Sequence, residues 1–516
     1  MIDASDDAKV GATVPRPMSA DGPSVNSVAS DAALKRRARL GLIALSVRSA
    51  LQNVVVLVAN VYLARVLSPG DYGVFGILQF ALSLFKLIGD TGLGSALVQQ
   101  QRTPDDRDLS SIWWFQLGLG ALLVVCSCAL VPVLPLIWPT ITPGLAWLLP
   151  GLSLSLLFTM LRVVPFLMLE REVNFGWVGM LEFLGTLVFY GTAAALAASG
   201  AGAAALVWAT VGQSALVSIA ANLVQPWRPK LIFDRARIRG MLKFGFAFQG
   251  NNVVGFINAA VTPLLVGARL GKDAMGIVNF AQSTALFPAV LVTIVRRVYF
   301  PLLSRLQHDS NAFARELNRA VLLCGIPAFL FAGLFCGGAP KIVAIIYSEK
   351  WMPSVGPLYL YSIGFAILFY SWIASAAIEA KGLTSRIFRI AVISTLTNWC
   401  ASSLTTWLWP TPFGFAMGYF VHMVAPPIVV YLTVREIVPE AKPLAGLGGL
   451  VGGAVLIAVL GRFALPWVRG PISLTVWIIV AILVFAVAAI GLDQHVRELA
   501  KETWQKRRSR QATRLE

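Results

Sequence analysis

The residues best placed to do chemistry in this sequence are charges and amides set inside long apolar runs. Arg48 and Arg162 each stand among aliphatic residues, where a cation costs at least about 2.5 kcal/mol at the centre of a bilayer. At that cost accidental placement is disfavoured, and a guanidinium held in a low-dielectric setting can grip a phosphate or diphosphate. Gln52 follows Arg48 by four residues and shares its helical face, so the two can line one wall. For either arginine the plainer alternative is a side chain that snorkels to an interface. Further on, Gln249, Asn251, Asn252 and Asn258 polarise one run, and Asn279 with Gln282 polarise the next. Asn251 and Asn258, seven apart, share a face, a pattern that serves sugar hydroxyls or neighbouring helices equally. Arg296 and Arg297 close the second of these runs as an anion-receiving pair or an interfacial anchor. Asp90 and Glu182 are acids placed to titrate or bind a cation, and so to couple movement to an ion gradient. Lys86, four residues before Asp90, offers that acid a local ion pair instead.

Enzyme chemistry has little support. The sequence has no P-loop, HExxH or GxSxG pattern. Asp106-Arg107-Asp108 spells the DxD of nucleotide-sugar transferases, but it lies in a short loop with no nucleotide-binding fold around it. His308, His422 and His495 are too scattered to hold a metal. Cys126, Cys128, Cys324, Cys336 and Cys400 all fall in apolar runs and read as packing residues. No catalytic residue, metal or cofactor is expected.

The elements that carry these groups are helices in a membrane. Hydrophobic residues make up 57% and charged residues 13% of the 516 residues, and the mean hydropathy is +0.74. Apolar runs of about 20 residues recur, each long enough to span, while strand-like alternation is absent. About fourteen spans are expected, at 40–64, 72–96, 111–131, 144–168, 176–198, 201–224, 241–267, 275–299, 318–338, 354–376, 387–409, 412–433, 445–465 and 471–491. The net charge of +17 belongs to topology, because the basic residues collect in short loops; nucleic acid is not an expected partner. With both termini cytoplasmic, about 32 of the 42 Lys and Arg fall on the inner side and about 7 on the outer. The cluster Lys35, Arg36, Arg37 and Arg39 leads into a run long enough to span, which argues against a cleaved signal. The loop residues Arg228, Lys230, Arg235, Arg237 and Arg239 read as topology determinants and headgroup contacts. Trp113, Trp114, Trp147, Trp177, Trp351, Trp407 and Trp409 sit near span ends as an interfacial belt. Gly448/Gly452 and Gly449/Gly453 give the spacing of close helix packing.

A short repeat organises the runs. Ala64-Arg65-Val66-Leu67 followed by Asp71-Tyr72-Gly73 matches Ala268-Arg269-Leu270-Gly271 followed by Asp273 and Met275-Gly276, with one residue of gap. Both stretches begin from the same side, so the halves are expected to be parallel repeats with a site between them. The domains follow: 1–34, a disordered cytoplasmic tail; 35–225, a first lobe of six spans; 226–240, a basic linker; 241–434, a second six-span lobe; 435–491, two further spans; and 492–516, a basic tail.

Within this frame the sequence resembles the polysaccharide transporter family (Wzx-like flippases) of the MOP superfamily, which also holds MATE drug exporters and lipid II flippases. The resemblance rests on Leu63-Ala64-Arg65-Val66-Leu67-Ser68-Pro69-Gly70-Asp71-Tyr72-Gly73 and Asp90-Thr91-Gly92-Leu93-Gly94-Ser95-Ala96-Leu97-Val98-Gln99. It continues through Leu169-Glu170-Arg171-Glu172, Leu265-Val266-Gly267, Phe300-Pro301-Leu302-Leu303-Ser304-Arg305-Leu306-Gln307 and Ile345-Ile346-Tyr347-Ser348-Glu349-Lys350-Trp351. The order of these motifs across residues 40–435 is what carries it. It implies an all-α integral membrane protein of about fourteen spans, with two pseudo-symmetric MATE-like lobes plus two C-terminal helices, in a bacterial inner membrane. It implies alternating-access flipping of undecaprenyl-diphosphate-linked oligosaccharide, membrane lipids as surroundings, and a polymerase and other polysaccharide assembly proteins as partners. Where many relatives carry an acid before the Leu-Leu-Val-Gly segment, this chain has Thr262-Pro263, so an ion-coupling role for that acid does not transfer. A membrane polymerase or ligase is the rival enzyme reading, though every expected outer loop is short; a MATE-like cation exporter would want a more acidic or aromatic cavity.

Overall fold

The structure is a computed structural model that describes residues 51–89, 105–172, 174–499, 501 and 505, with backbone alone at 175, 241, 243–249 and 251. The larger of its two compact units spans Val56–Glu516 and holds the helix packing. Among the described residues the regular structure is helical throughout, as a bilayer demands of backbone groups that find no water.

The helices are α1 (Leu51–Val66), α2 (Pro69–Gly89), α3 (Asp106–Leu130), α4 (Pro143–Arg171), α5 (Gly176–Ala198) and α6 (Ala203–Val224), followed by α7 (Arg235–Thr262), α8 (Gly271–Ala285) and α9 (Ala289–Arg305). Then come α10 (Ser310–Tyr347), α11 (Glu349–Ala380), α12 (Thr384–Leu408), α13 (Pro412–Ile437), α14 (Leu447–Trp467) and α15 (Pro471–Leu492). Ten of these, α2–α6, α10, α11 and α13–α15, are long and apolar enough to cross a membrane, or eleven with α8 and α9 taken as one bent span. Among the described residues, length and composition thus carry ten or eleven of the fourteen expected spans, the first of which begins outside them.

Caps and prolines set the boundaries. Asp105 caps α3 through its side chain, and Asp108 returns the bond to the Asp105 backbone, which starts that helix five residues before the apolar run. Asp234, Asp309 and Thr411 cap α7, α10 and α13 by the side-chain bond alone. Pro165 breaks α4 at Arg162, and Pro288 divides α8 from α9 with a bend of 48°, each by removing a helical donor and crowding the preceding turn. The expected straight span at 275–299 is therefore two helices. Past Thr262 the backbone widens into a π-turn over Pro263–Gly267.

We call the end that carries the α1–α2 and α7–α8 turns the corner end, and the opposite one the linker end. The last two helices are fastened to α10. Gly337 of α10 lies against Gly461 of α14, while Gly449 and Gly453 of α14 face Asp493 and Phe485 at α15. Small residues on both sides let these backbones approach.

Candidate functional site

At the corner end, α2 packs along α8 in a reciprocal crossing. A side chain at Gly73 would strike the Lys272 carbonyl, and one at Gly276 would strike the Pro69 carbonyl. Gly76 lies against the Asn279 amide. Only glycine lets two backbones meet this closely. The two halves of the sequence repeat are therefore in direct contact, each supplying the glycine that the other needs.

Hydrogen bonds reinforce the crossing. Trp351, fully buried, stacks on Phe280 with centroids 4.2 Å apart, meets Tyr72 edge-on, and donates from Nε1 to the Ala64 carbonyl at 2.8 Å. Arg65 donates to the carbonyls of Ile346 and Ile345 at 2.8 and 2.6 Å, while Lys350 Nζ donates to the Arg65 carbonyl at 2.7 Å. Between those partners Ser348 adopts a φ of 141°, a strained conformation for a non-glycine residue that surrounding contacts have to hold in place. Trp138 Nε1 donates to the Pro263 carbonyl at 2.9 Å, which occupies the π-turn.

Toward the linker end the same helices part. Beyond the bend at Pro288, α9 packs against α10 and α11 and no longer follows α2. Leu84, Lys86 and Ile88 of α2 and Ile294, Arg297 and Val298 of α9 are exposed there. An open cavity of about 340 Å³ is lined by Thr293, Arg296, Arg297, Phe300 and Glu379. Glu379 accepts two bonds from Arg296 Nη2 at 2.8 and 2.7 Å, which orients the pair and leaves Arg297 beside it.

A second charged cluster ties the halves together. Arg237 Nη1 reaches Asp105 at 2.7 Å and the buried Asp108 at 2.6 Å, with Nε 3.3 Å from Asp234. Hydrogen bonds from Arg237, and after it from the Asp108 backbone N–H, hold the Asp105 carboxyl well below the usual carboxylate range. Lys230 pairs with Asp106 at 2.6 Å. The segment before α7 is pinned along α3: Ser110 and Ser111 accept from the Lys230 and Asp234 backbones, and Trp114 donates to the Lys230 carbonyl. The DxD stretch is a helix cap and an anchor, and Lys230 and Arg237 are engaged with acids. In the sequence these loop cations read as headgroup contacts; the acids Asp105, Asp106 and Asp108 facing a basic linker are the signal of their pairing.

The residues selected from sequence fall into separate groups. Arg162, half-buried at the break in α4, lies over the Phe166 ring at 4.8 Å and feels the exposed Glu182 electrostatically. Asn258 accepts from the buried Asn398 at 2.8 Å, and Ser402 donates to Asn398 at 3.0 Å. Trp399 adds a bond to the Ile257 carbonyl, so Asn258 serves an interhelical bridge. Asn279 lies in the α2–α8 crossing, and Gln282 lies beside the buried Tyr361 hydroxyl. Gln52 is half-buried on the first described turn of α1. Arg48 and Asp90 lie outside the described residues, and only the backbone of Asn251 is described. Trp351, expected in an interfacial belt, is instead the centre of the corner-end packing. Trp147, Trp177, Trp407 and Trp409 are exposed. The five cysteines are free, and among the described residues no cluster of metal-ligating side chains occurs.

Comparison with known proteins decides the family. Residues 62–356 match the family described as polysaccharide biosynthesis protein, more than half of the chain. The chain belongs to that family. Its curated relatives include the succinoglycan biosynthesis transport protein ExoT of Rhizobium meliloti, 25% identical over 56% of this chain and 58% of the relative. The lipopolysaccharide biosynthesis protein WzxC of Escherichia coli is 24% identical over 57% of this chain and 60% of its own length. The teichuronic acid biosynthesis protein TuaB of Bacillus subtilis is 26% identical over 52% and 56%. The chain thus spans less than two thirds of the length of each of these relatives. Among solved structures, the lipid II flippase MurJ in an inward closed conformation aligns with a TM-score of 0.74, at 18% identity, over 89% of this chain and 100% of that one. An inward-facing MATE transporter of the MOP superfamily aligns with a TM-score of 0.59, at 14% identity, over 75% and 94%. These likenesses establish the fold of this family member as MurJ-like and helical, in a multi-pass membrane protein.

Proposed function

We propose that this polysaccharide biosynthesis protein is a flippase that moves a lipid-linked oligosaccharide across a bacterial inner membrane by alternating access, without enzymatic chemistry on its cargo. The observation that carries this reading is the asymmetry of α2 with α8 and α9: closed backbone to backbone at the corner end, parted toward the linker end. That geometry suits one of the two states an alternating-access carrier visits. Fourteen spans in two six-helix lobes, with α14 and α15 appended, put the corner end outside and the linker end in the cytoplasm, in keeping with the basic loops.

In this reading the cargo diphosphate meets Arg297 and Arg296 at the opening. Glu379 holds Arg296 in place, so charge is presented without a side chain having to be ordered on arrival. Arg48, Gln52, Arg162, Asn251, Asn279 and Gln282 are the further candidates for polar contact with the cargo at some stage of its passage, and Asp90 and Glu182 are the acids available for ion coupling. Relatives named for succinoglycan, lipopolysaccharide and teichuronic acid biosynthesis point to a surface glycan as the cargo's sugar part and to glycan assembly proteins as neighbours. The test is cellular. Deleting the gene should trap lipid-linked oligosaccharide on the cytoplasmic face, and Arg297→Ala should restore export only partly. Normal export in the deletion strain would remove the assignment, and full rescue by Arg296→Ala/Arg297→Ala would remove the arginine pair from it.

A further inference from the structure

A second cavity, of about 310 Å³, lies among α10, α11, α13 and the start of α14; it shares α11 with the proposed cargo opening but none of its lining residues. Its walls are apolar, built by Val321, Phe329, Ala366, Pro427 and Ile428. It opens past Ile428 and Leu444, both at least half exposed. Tyr370, among its lining residues, is only 8% exposed, and its hydroxyl has no protein partner. Tyr431 lines the cavity too, close enough to act on Tyr370 electrostatically. Arg435, one turn farther toward the linker end, stands over the Tyr431 ring at 6.0 Å, and Lys442 follows it in the loop that brings Leu444 to the mouth. Both are exposed, and the neighbouring Glu436 is taken up by Arg386 at 2.8 Å.

We infer that this cavity holds an acyl chain of an anionic phospholipid, with Tyr370 donating to a glycerol ester oxygen and the phosphate held by Arg435 and Lys442. An unpaired buried hydroxyl is costly without an acceptor, and an apolar cavity open to the bilayer fills with hydrocarbon. Paired cations beside its mouth select a negative headgroup, each adding about 1 kcal/mol near an anionic surface. The volume suits a stretch of one chain, and none of its lining residues lines the cavity at Arg296 and Arg297. The inference rests on the chain crossing a membrane and not on transport.

Native mass spectrometry of the full-length protein in detergent tests it, with titration by phosphatidylglycerol, phosphatidylcholine or polyprenyl phosphate. The wild type should retain one phosphatidylglycerol. Ala366→Phe, which fills the cavity, should lose it, and Arg435→Gln/Lys442→Gln should weaken phosphatidylglycerol roughly thirtyfold while leaving phosphatidylcholine unchanged. Should Ala366→Phe fail to fold, Tyr370→Phe and the double glutamine variant decide the matter. Undiminished phosphatidylglycerol binding by these variants, or its displacement by polyprenyl phosphate, would overturn the inference. Lipid retention as expected in a wild type whose deletion leaves export normal would count against the flippase reading alone.

Discussion

Trp351 bonds the Ala64 carbonyl while its ring is sandwiched against Phe280 and Tyr72, so the two contributions can be separated by substitution. Trp351→Phe keeps most of the stacking and should cost about 1 kcal/mol, the usual net worth of one hydrogen bond. Trp351→Ala should cost about 3–5 kcal/mol, both read from thermal unfolding in detergent. The residue was visible in the sequence, but proximity to a span end suggested an interfacial role. Burial depends on what packs over a position, and that information lies in α2 and α8, far away along the chain. The Asp105 cluster carries a pH prediction. Its carboxyl titrates lower in the folded protein than in the unfolded chain, so its stabilisation is present above the unfolded value of about 3.9 and disappears as pH falls through the folded value. Melting curves of wild type and Asp105→Asn should differ by a constant margin from pH 7 to about pH 5. The two should converge only in stronger acid; convergence already at pH 6 would exclude this pairing.

Among elements, the α2–α8 crossing is the contact least tolerant of added volume. Gly73→Ala and Gly276→Ala each place a methyl group against a carbonyl, and overpacking of this kind costs about 1–3 kcal/mol. The penalty falls on the closed corner end alone, so each variant should enrich the state in which that end is open. Spin labels on α2 and α8 would report a longer corner-end distance, and an unchanged distance would mean that the crossing is not a moving seam. The element pattern is legible where apolar runs mark it, since such runs act locally. Asp105, Asp309 and Thr411, which start helices, and Pro165 and Pro288, which break them, are local signals too, but the run lengths alone do not use them. What local pattern did not reveal is how far polar ends extend beyond the membrane, as in the 38 residues of α10, or that span eight would bend by 48°. The repeat motif announced that two corners were alike. It said nothing of their lying against each other.

For the molecule as a whole, movement between two states predicts that tying the corners together stops transport. Gly70 lies beside the Asp273 carboxylate, so Gly70→Cys/Asp273→Cys in a background without the native cysteines should form a bridge. Oxidation should abolish export and reduction restore it; export that persists under oxidation would reject alternating access at this seam. Membrane residence, helical architecture and family were all readable from composition and motif order. The site was readable only in part, because Asn258 and Arg162 meet partners on α12 and α5 that no spacing rule connects to them.

The crossing at Gly73 and Gly276 carries one more implication. At these two glycines α2 and α8 meet through main-chain carbonyls, and a carbonyl is the same whatever side chains surround it. If the chain is the flippase proposed above, this part of the closure would be indifferent to the sugar carried, and preference for one glycan over another would fall to side chains elsewhere, free to vary while Gly73 and Gly276 stay fixed.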